Sequence, residues 1–596
     1  MSDGVERSEA AEAFALSPPG EGGGKRLPKA SNDTGSGRRY KQGVPRGQAM
    51  LLPASVEDYV AADNPVRAID AYVESLDLKT LGFGYAEGAL TAGQPAYRPG
   101  DLLKLYIYGY LNRVRSSRRL EAECGRNLEL VWLLGGLAPS YHTIADFRAD
   151  NAKALRATCR DFVAECAQLG LIGGTRLGID GSFFHGSASD ASVKTVAQLQ
   201  AGLAVLEHDI ERYHSELDGC DADEAGAPES ARASVAQLEA LKARAEERRA
   251  QLKQLADAGE TQLSHTDPDA RRLRKNGQKV TGYNVQNVVD GKHKLILTHE
   301  VTNAGNDLGQ LVPMIEQAET VLAQLALSPD CNAEAARSEA PSEAASPAPA
   351  AAPATPCATA PEAAPAPLAA AAASEEPVDD APQPARAGTA ATLEVLADAG
   401  YFTEQDIAAC QARGICVYVP IPQTKGNSAE RRGLLPIAEF RYDAERDCYD
   451  CPGGATLGPI GKPVVRSGVA RQRYRSKPKV CAVCPQAAQC LSEGAARREI
   501  ERSEHAEAIE RHREQMDGED ARGKMRERAA LCEHPFGTLK RWLGWDHFLV
   551  RGFAKVRGEM ALSVQCYNLR RVLSILGIDA FVEVCRKRRH ARRTEA

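Results

Sequence analysis

Apolar and polar positions follow a helical pattern through the first part of the chain. From Ser55 to Asn151 apolar residues recur at helical spacing, and Asp63-Asn64-Pro65 and Pro99-Gly100-Asp101 are typical of helix starts. We therefore predict a helical domain over residues 48–152. Two of its segments, RRLEAECGRNLELVWLL and SYHTIADFRADN, are joined by a short Gly/Pro loop, a layout compatible with helix-turn-helix DNA binding. Ordinary packing of short helices is the alternative interpretation.

Strand-like segments follow, and a helical insertion interrupts them. The segment TRLGIDGSFFHG predicts a short apolar strand that ends on Asp180, and KVTGYNVQNVVD with HKLILTHEVT predicts a β-hairpin. Between them, in residues 192–260, apolar residues alternate at spacings of three and four, which predicts a coiled helical hairpin. Later, ATLEVLADAGYF predicts a second strand that ends on a carboxylate, Asp398. Strands alternating with helices predict an α/β fold, in which helices flank a mixed sheet.

Two segments lack the apolar residues that a folded core needs. Residues 1–47 are rich in Gly, Ser, Pro and charge, and we predict a disordered leader. Residues 327–388 are rich in Ala and Pro and contain no aromatic residue, so we predict a disordered linker. The linker divides the predicted mixed domain into a first part, residues 170–326, and a second part, residues 389–580. A basic tail is predicted at residues 581–596.

Composition and charge indicate a globular multidomain protein and leave nucleic acid open as a partner. The 596 residues are too many for a single core, and the formal net charge is −6. The charge is uneven, because the predicted linker has 9 acidic and 2 basic residues while Lys540 to Ala596 has 13 basic and 5 acidic residues. The negative total therefore does not exclude DNA binding.

The N-terminus lacks the pattern of a secretory signal, and no apolar run is long enough to span a bilayer. We expect a cytoplasmic protein without membrane contact. Its 16 cysteines are then expected to be mostly reduced. Clustered cysteines would indicate a metal site, and scattered cysteines would indicate core packing.

One cysteine cluster lies in a Gly/Pro-rich basic segment, residues 440–495. Four thiolates in its C…C-x2-C-x5-C spacing can close a tetrahedral zinc site. Cys448 nearby offers an alternative ligand, and reduced core cysteines are the alternative to any metal. The four residues, called here the zinc set, are Cys451, Cys481, Cys484 and Cys490.

Asp180 and Asp398 share a predicted position that suits metal binding. A carboxylate at the end of a buried strand points into a cleft at the sheet edge, and two such carboxylates can share a divalent ion. Taken singly, each Asp could instead be a helix N-cap. Glu533 supplies a third carboxylate where a later helical region opens, and Lys540 lies two turns further along it.

The sequence around Glu533, CEHPFGTLKRWLGWDHFLVRGFAKVRGEMALSVQCYNLRRVL, resembles the C-terminal block of bacterial insertion-sequence DDE transposases. The E-x6-K spacing of that family is present as Glu533 and Lys540. LGIDGSFFHG and LADAGYF resemble the strands that carry its first and second Asp, and SVEDYVAADNPVRAIDAYV resembles its helical N-terminal domain. TDPDAR and GYNVQNVVD resemble its hairpin strands. The resemblance runs from Leu51 to Leu576, apart from the linker.

The resemblance implies a ribonuclease H-like core with a small zinc-binding insertion and a catalytic triad of Asp180, Asp398 and Glu533. It implies two Mg²⁺ ions, or Mn²⁺, held by these carboxylates to activate water or a DNA 3′-hydroxyl. The implied protein binds double-stranded DNA at terminal inverted repeats, cleaves a strand at each end and transfers it to target DNA. A homodimer or larger assembly is implied on DNA, associated with the bacterial nucleoid.

The resemblance also implies roles for single positions. Lys540, Arg541 and Arg528 are expected at DNA phosphates, and a position on a solvated helix face is the alternative for Lys540. Related transposases carry Tyr and Arg in a Y-x2-R-x3-E pattern, whereas this chain has Arg526 and Ala529 there, with Arg528 one place nearer the N-terminus. Similar transposases carry Cys at the positions of the zinc set, which implies structural Zn²⁺. A transposase-derived regulator without catalysis and a metal-dependent nuclease without strand transfer are the alternative functions.

Overall fold

A computed structural model describes most of the chain as two compact units. The predicted leader, residues 1–47, and the predicted linker, residues 327–388, lie outside the described residues. The described residues are 55–87, 95–222, 228–275, 277–326, 393–422 and 433–595. Unit 1 consists of the described residues within Met1–Cys166, Gly178–Met314 and Met525–Ala596, and unit 2 consists of those within Ala167–Leu177 and Ile315–Lys524.

Helices occur throughout the described chain and form all of its N-terminal region. α1 begins where the sequence predicts, because Asn64 accepts a hydrogen bond from the Val66 N–H and Pro65 favours a first helical turn. A π-helical turn, Thr538–Trp542, follows α14 directly. Within the described ranges, no helix is both long enough and apolar enough to cross a membrane. The helices are α1 Pro65–Glu74, α2 Pro99–Leu111, α3 Ser117–Cys124, α4 Leu128–Leu133, α5 Tyr141–Asp150, α6 Ala152–Gln168, α7 Val196–Ala222, α8 Pro228–Ala258, α9 Leu311–Ala326, α10 Glu404–Ala412, α11 Pro478–Cys481, α12 Ala487–Cys490, α13 Ala506–Asp517, α14 Glu519–Gly537, α15 Phe553–Leu576 and α16 Ile578–Glu595.

Strands account for the rest of the regular structure. β2 and β3 form a short antiparallel pair beside the helical hairpin α7–α8, which occupies the segment where the sequence predicts it. The strands are β1 Arg176–His185, β2 Val193–Thr195, β3 Gln262–Ser264, β4 Arg271–Lys275, β5 Gln278–Asp290, β6 Ile296–Thr302, β7 Glu394–Leu396, β8 Cys416–Tyr418, β9 Arg441–Asp443, β10 Cys448–Asp450, β11 Thr456–Arg466, β12 Val469–Arg475 and β13 Glu499–Ser503.

The long strand β5 organises the sheet of unit 1. Its first half pairs antiparallel with β4 and its second half with β6, which confirms the predicted hairpin. β1 is the next strand, in the order β4-β5-β1. The backbones of β1 and β5 approach closely, since a Cβ at Gly282 would lie 2.0 Å from the Phe184 carbonyl oxygen. Glycine is therefore required at this position.

A buried carboxylate, Glu559 on α15, joins several elements of unit 1. Its Oε1 accepts a hydrogen bond from the Tyr110 hydroxyl at 2.9 Å and lies 3.5 Å from Arg148 Nη1. Its Oε2 accepts hydrogen bonds from the backbone N–H groups of Leu549 and Val550, at 2.9 and 3.2 Å. Burial opposes the charge of Arg148, but Glu559 together with Tyr110 and Tyr106 holds the pKa of that guanidinium above its usual value. One carboxylate thus connects α2, α5, α15 and the segment before α15.

The segment that Glu559 holds also pairs with the end of β1. The His185 N–H donates to the Asp546 carbonyl, and the Phe548 N–H donates to the His185 carbonyl, each at 2.8 Å. The start of α15 is fixed nearby by the TDPDAR sequence, because Asp269 accepts the Phe553 N–H at 2.7 Å. These contacts hold β1 and α15 in one arrangement.

The predicted basic tail, residues 581–596, includes all but the first three residues of α16. Phe581 and Cys585 are buried, so this helix packs on the protein through an apolar stripe. Arg588 forms an ion pair with Asp161 on α6. One side of the basic tail is therefore attached to the protein, while side chains such as Arg586 and Lys587 remain exposed.

In unit 2, β7 and β8 pair in parallel beside the start of β1. The Glu394 N–H donates to the Thr175 carbonyl at 2.9 Å. The Glu394 carboxylate lies 2.7 Å from both Arg176 Nε and Lys524 Nζ. The start of β1, β7 and the start of α14 are therefore joined around one carboxylate.

A second sheet of unit 2 has the strand order β13-β12-β11-β10-β9, and its pairs are antiparallel. Arginine side chains of β12 form ion pairs with glutamates. Arg471 lies 3.0 Å from Glu404, and Arg473 lies 3.5 Å from Glu499. The core of this sheet consists of Phe440, Tyr449, Leu457, Tyr474, Cys490 and Ile500.

We expect Glu559→Gln to destabilise the protein strongly. The amide cannot balance Arg148, and removing one partner of a buried ion pair typically costs about 3–5 kcal/mol. Urea denaturation measures the free energy of unfolding. Glu583→Gln is the matched control, because it removes an exposed pair with Arg586 and should change that energy by less than about 1 kcal/mol. Equal effects of the two substitutions would contradict the role given to Glu559.

Candidate functional site

Asp180 lies in the middle of β1 and not at its end. The strand continues to His185 because its last residue pairs with the 546–548 segment. The prediction of a strand-end carboxylate is therefore wrong for Asp180. Its side chain is 16% exposed, and its Oδ1 accepts a hydrogen bond from the Gly181 N–H at 3.0 Å.

Arg528 on α14 places a positive charge beside Asp180. Its Nη2 lies 3.1 Å from Asp180 Oδ1, and its side chain is likewise 16% exposed. Leu531 and Cys532, one turn further along the helix, are buried. This helix face packs so closely on β1 that a Cβ at Gly178 would lie 2.8 Å from Cys532 Sγ. Arg528 reaches Asp180 because it belongs to the face of α14 that contacts the strand.

Lys540 contacts the same face of β1 beyond Asp180. Strand alternation places Asp180, Ser182 and Phe184 on one face. Lys540 Nζ donates to Ser182 Oγ at 2.6 Å and to the Phe183 carbonyl, and it lies 4.4 Å from the centroid of the Phe184 ring. Arg528 and Lys540 therefore place two positive charges along this face of β1.

Gly181, next to Asp180, packs against a buried polar cluster. The cluster consists of Asp307, Asn284 and Gln286, which are all buried. Asp307 Oδ1 accepts hydrogen bonds from Asn284 Nδ2 at 2.9 Å and from Gln286 Nε2 at 2.8 Å. A Cβ at Gly181 would lie 2.3 Å from Asp307 Oδ1. The cluster therefore requires glycine beside Asp180 and fixes the backbone there.

Glu533 lies on a different side of α14 from Arg528. The helix begins at Glu519, so the prediction that Glu533 opens the helical region is wrong. Five positions separate Glu533 from Arg528, which places them about 140° apart around the helix axis. Glu533 is exposed and lines a cleft of ≈ 460 Å³, called here the Glu533 cleft. Other residues that line it are His534, Trp542, Tyr567, Arg570, Arg571 and Ser574.

The side chains that follow Lys540 lie in three different environments: solvent, the Glu533 cleft and the core. Arg541 is exposed on the π-helical turn. Trp542 lines the Glu533 cleft, whereas Trp545 is 2% exposed and belongs to the core. The predicted phosphate contacts therefore differ in setting, since Lys540 contacts β1 and Arg541 faces solvent.

Asp398 belongs to unit 2 and lies two residues after β7 ends at Leu396. Its side chain accepts a hydrogen bond from the Gly400 N–H at 2.8 Å and caps the short helical turn Ala399–Tyr401. Capping is a role that aspartate favours. Its membership of a catalytic triad stays a prediction.

The zinc set lines one cavity in unit 2. A Cβ at Gly453 would lie 2.8 Å from Cys484 Sγ and 3.7 Å from Cys451 Sγ, so the glycine leaves room for both thiols. Burial raises the pKa of Cys490, and the other three thiols act in the same direction. Cys448 is buried on β10 and is not among the residues that line the cavity.

The described part of the chain contains no group of three or more His, Cys, Asp or Glu side chains placed to hold a metal ion. The zinc set thus shares a cavity without the spacing of a coordination shell, and the magnesium and zinc sites stay predictions. Eight scattered cysteines are predicted to pack in the core, and Cys416 is only partly buried. The other seven are buried as predicted, namely Cys124, Cys159, Cys166, Cys410, Cys532, Cys566 and Cys585.

Asn284 and Gln286 are site residues that were not predicted from the sequence. Their signal is a pair of amides at alternate positions of β5, on either side of Val285 in the segment YNVQNVV. Buried amides need hydrogen-bond partners, so such a pair indicates a polar site on one face of the strand.

Two family models match the chain. Residues 54–150 match the Transposase domain (DUF772), and residues 450–573 match the Transposase DDE domain. The first match covers the helical N-terminal region, and the second runs from the cysteine cavity to α15. Both families are transposase domains, and the second defines the DDE class. Together they support an insertion-sequence DDE transposase. No curated protein and no solved structure matches the chain.

We expect Gly181→Ala to destabilise the protein by about 1–3 kcal/mol, because the new methyl group overlaps the Asp307 carboxylate. Urea denaturation measures the change. Gly523→Ala is the matched control, since no atom lies within 4 Å of a Cβ at that position of α14. It should stabilise the helix by about 0.5–1 kcal/mol. An unchanged stability of Gly181→Ala would show that the polar cluster does not constrain β1.

Proposed function

We propose that this chain is the transposase of an insertion sequence. It binds double-stranded DNA at the inverted ends of its element, cleaves a strand at each end and joins the freed 3′-hydroxyl to target DNA. The observation that carries this proposal is the contact between Arg528 and Asp180, because it joins the segment that matches the DDE family to the strand of the first predicted triad residue.

Asp180, Asp398 and Glu533 are proposed as the catalytic triad of a ribonuclease H-like core. Their carboxylate oxygens suit Mg²⁺ or Mn²⁺, and the partial or full exposure of Asp180 and Glu533 allows access from solvent. Two such ions would activate the attacking oxygen and stabilise the leaving oxygen of a DNA strand. The buried cluster around Asp307 holds the backbone beside Asp180, which keeps the first carboxylate in a fixed position.

Arg528 is proposed to replace the arginine that related transposases carry one position later. Ala529 occupies that position, and Arg528 contacts Asp180 because it belongs to the β1-facing side of α14. Its charge would stabilise the carboxylate and a nearby DNA phosphate. Lys540 and Arg541 are proposed as further phosphate contacts, with Lys540 anchored on β1 by Ser182.

The zinc set is proposed to hold one structural Zn²⁺. Four thiolates complete a tetrahedral shell and leave no position for water, so the ion would shape its segment without taking part in cleavage. The shared cavity and the space at Gly453 support this set over one that includes Cys448. Binding would draw the four thiols together, and the free energy of binding would stabilise the second sheet of unit 2.

We expect Asp180→Asn to reduce Mg²⁺-dependent strand cleavage at least about a hundredfold while DNA binding is retained, because charge stabilisation of the transition state is lost without loss of a phosphate contact. Gel analysis of labelled element ends measures cleavage, and an electrophoretic mobility shift measures binding. Asp517→Asn, at an exposed position of α13, is the matched control and should cleave like the wild type.

Unchanged cleavage by Asp180→Asn would contradict the triad. Binding of element ends with no cleavage by the wild type would favour a regulator, and nicked products without joined strands would favour a metal-dependent nuclease. A homodimer or larger assembly on DNA is expected, since two element ends must be held together for joining.

We expect protein purified under reducing conditions to contain about one zinc per chain. Cys484→Ser should lose it and lower the melting temperature, while Cys448→Ser should retain it because that side chain lies away from the cavity. Elemental analysis and thermal denaturation provide the two measurements. Wild-type protein without zinc would return the cysteines to a packing role.

A further inference from the structure

Cations line the Glu533 cleft beside its carboxylate. Arg570 and Arg571 are consecutive residues of α15 that contribute to one wall. Arg571 Nε and Nη2 donate to the His293 carbonyl at 3.2 and 3.0 Å, which fixes the guanidinium at this wall. The cleft therefore presents a rigidly held positive group near Glu533.

Trp542, which lines the same cleft, contacts two guanidinium groups. Arg570 Cζ lies 3.2 Å and Arg113 Cζ lies 4.9 Å from the centroid of the indole ring. The ring attracts each cation, which offsets their mutual repulsion. Burial lowers the pKa of Arg570, and the charge of Arg113 lowers it further. The two cations are thus held together at an electrostatic cost.

His534 and Tyr567 line the same cleft, and His534 Nδ1 lies 3.0 Å from the Tyr567 hydroxyl oxygen. Glu533 is the one carboxylate among the described residues that line the cleft. An anion that entered the cleft would relieve the repulsion between its cations.

We propose that the Glu533 cleft binds a phosphate group of the DNA strand on which the protein acts. The proposal rests on the transposase function and names the surface that holds its substrate. A phosphodiester accepts charge-assisted hydrogen bonds from guanidinium groups, and Arg570 and Arg571 present two such groups side by side. The volume of ≈ 460 Å³ is within the range of pockets that accommodate small organic groups. Bound there, the strand would pass beside the Glu533 carboxylate.

Ser574 allows a test that leaves the packing of the cleft intact. It is exposed at the cleft, and its Oγ donates to the Arg570 carbonyl at 3.0 Å. Ser574→Glu adds a negative charge at this position, and Ser574→Gln adds a neutral side chain of the same size. The two variants therefore differ in charge alone.

Fluorescence anisotropy of a labelled DNA duplex carrying the element ends measures binding to the full chain in buffer without Mg²⁺ or Mn²⁺, so that cleavage plays no part. We expect Ser574→Glu to bind about tenfold more weakly than Ser574→Gln, the size of one charge-assisted contact. The slope of log Kd against log salt should fall by about one. Arg570→Gln should weaken binding similarly, and Arg570→Lys should recover part of the loss.

Arg586→Gln is the control for charge in general, because that side chain is 72% exposed on α16 and lies outside the cleft lining. It should bind within about twofold of the wild type. Equal affinities of Ser574→Glu and Ser574→Gln would overturn the cleft proposal. If the wild type still cleaved element ends in that case, the transposase function would be retained and only the cleft proposal would fail. A wild type that neither bound nor cleaved them would overturn both.

Discussion

Burial of the Glu559 carboxylate is the constraint on which unit 1 depends. A charge without access to water is unfavourable unless hydrogen bonds and an opposite charge replace its hydration. Tyr110, Arg148 and two backbone N–H groups supply that replacement from separate elements. Because the segment held by Glu559 continues into the pairing with His185, the position of β1 is tied to the helical N-terminal region.

The helices could be predicted from the sequence because their signals are local. Asn64 and Pro65 mark a helix start, and the leucine spacing of residues 192–260 marks a hairpin. The length of β1 could not be predicted, since its extension past Asp180 depends on hydrogen bonds to a distant segment, and strand formation depends strongly on such context. The start of α14 at Glu519 was also not predicted, because the first turns of this helix are polar and lack an apolar period.

The residues of the candidate site also differ in whether the sequence or only the tertiary structure reveals them. Resemblance to a family identified Asp180, Asp398, Glu533 and the zinc set, and spacing grouped the cysteines that line one cavity. The contact of Arg528 with Asp180 arises from tertiary packing, because the glycine at 178 lets α14 approach β1 closely. The basic cleft beside Glu533 likewise combines residues from α14, the π-helical turn and α15, and Arg113 from the loop after α2 contacts its Trp542.

We propose that these residues serve DNA strand transfer and not binding alone. The most direct measurement is incubation of the wild-type protein with Mg²⁺, labelled DNA carrying the element ends and unlabelled target DNA, followed by sequencing of the products. We expect joined molecules in which the 3′ end of the element is linked to target DNA. Products that are only nicked or uncut under conditions where the ends are bound would contradict strand transfer.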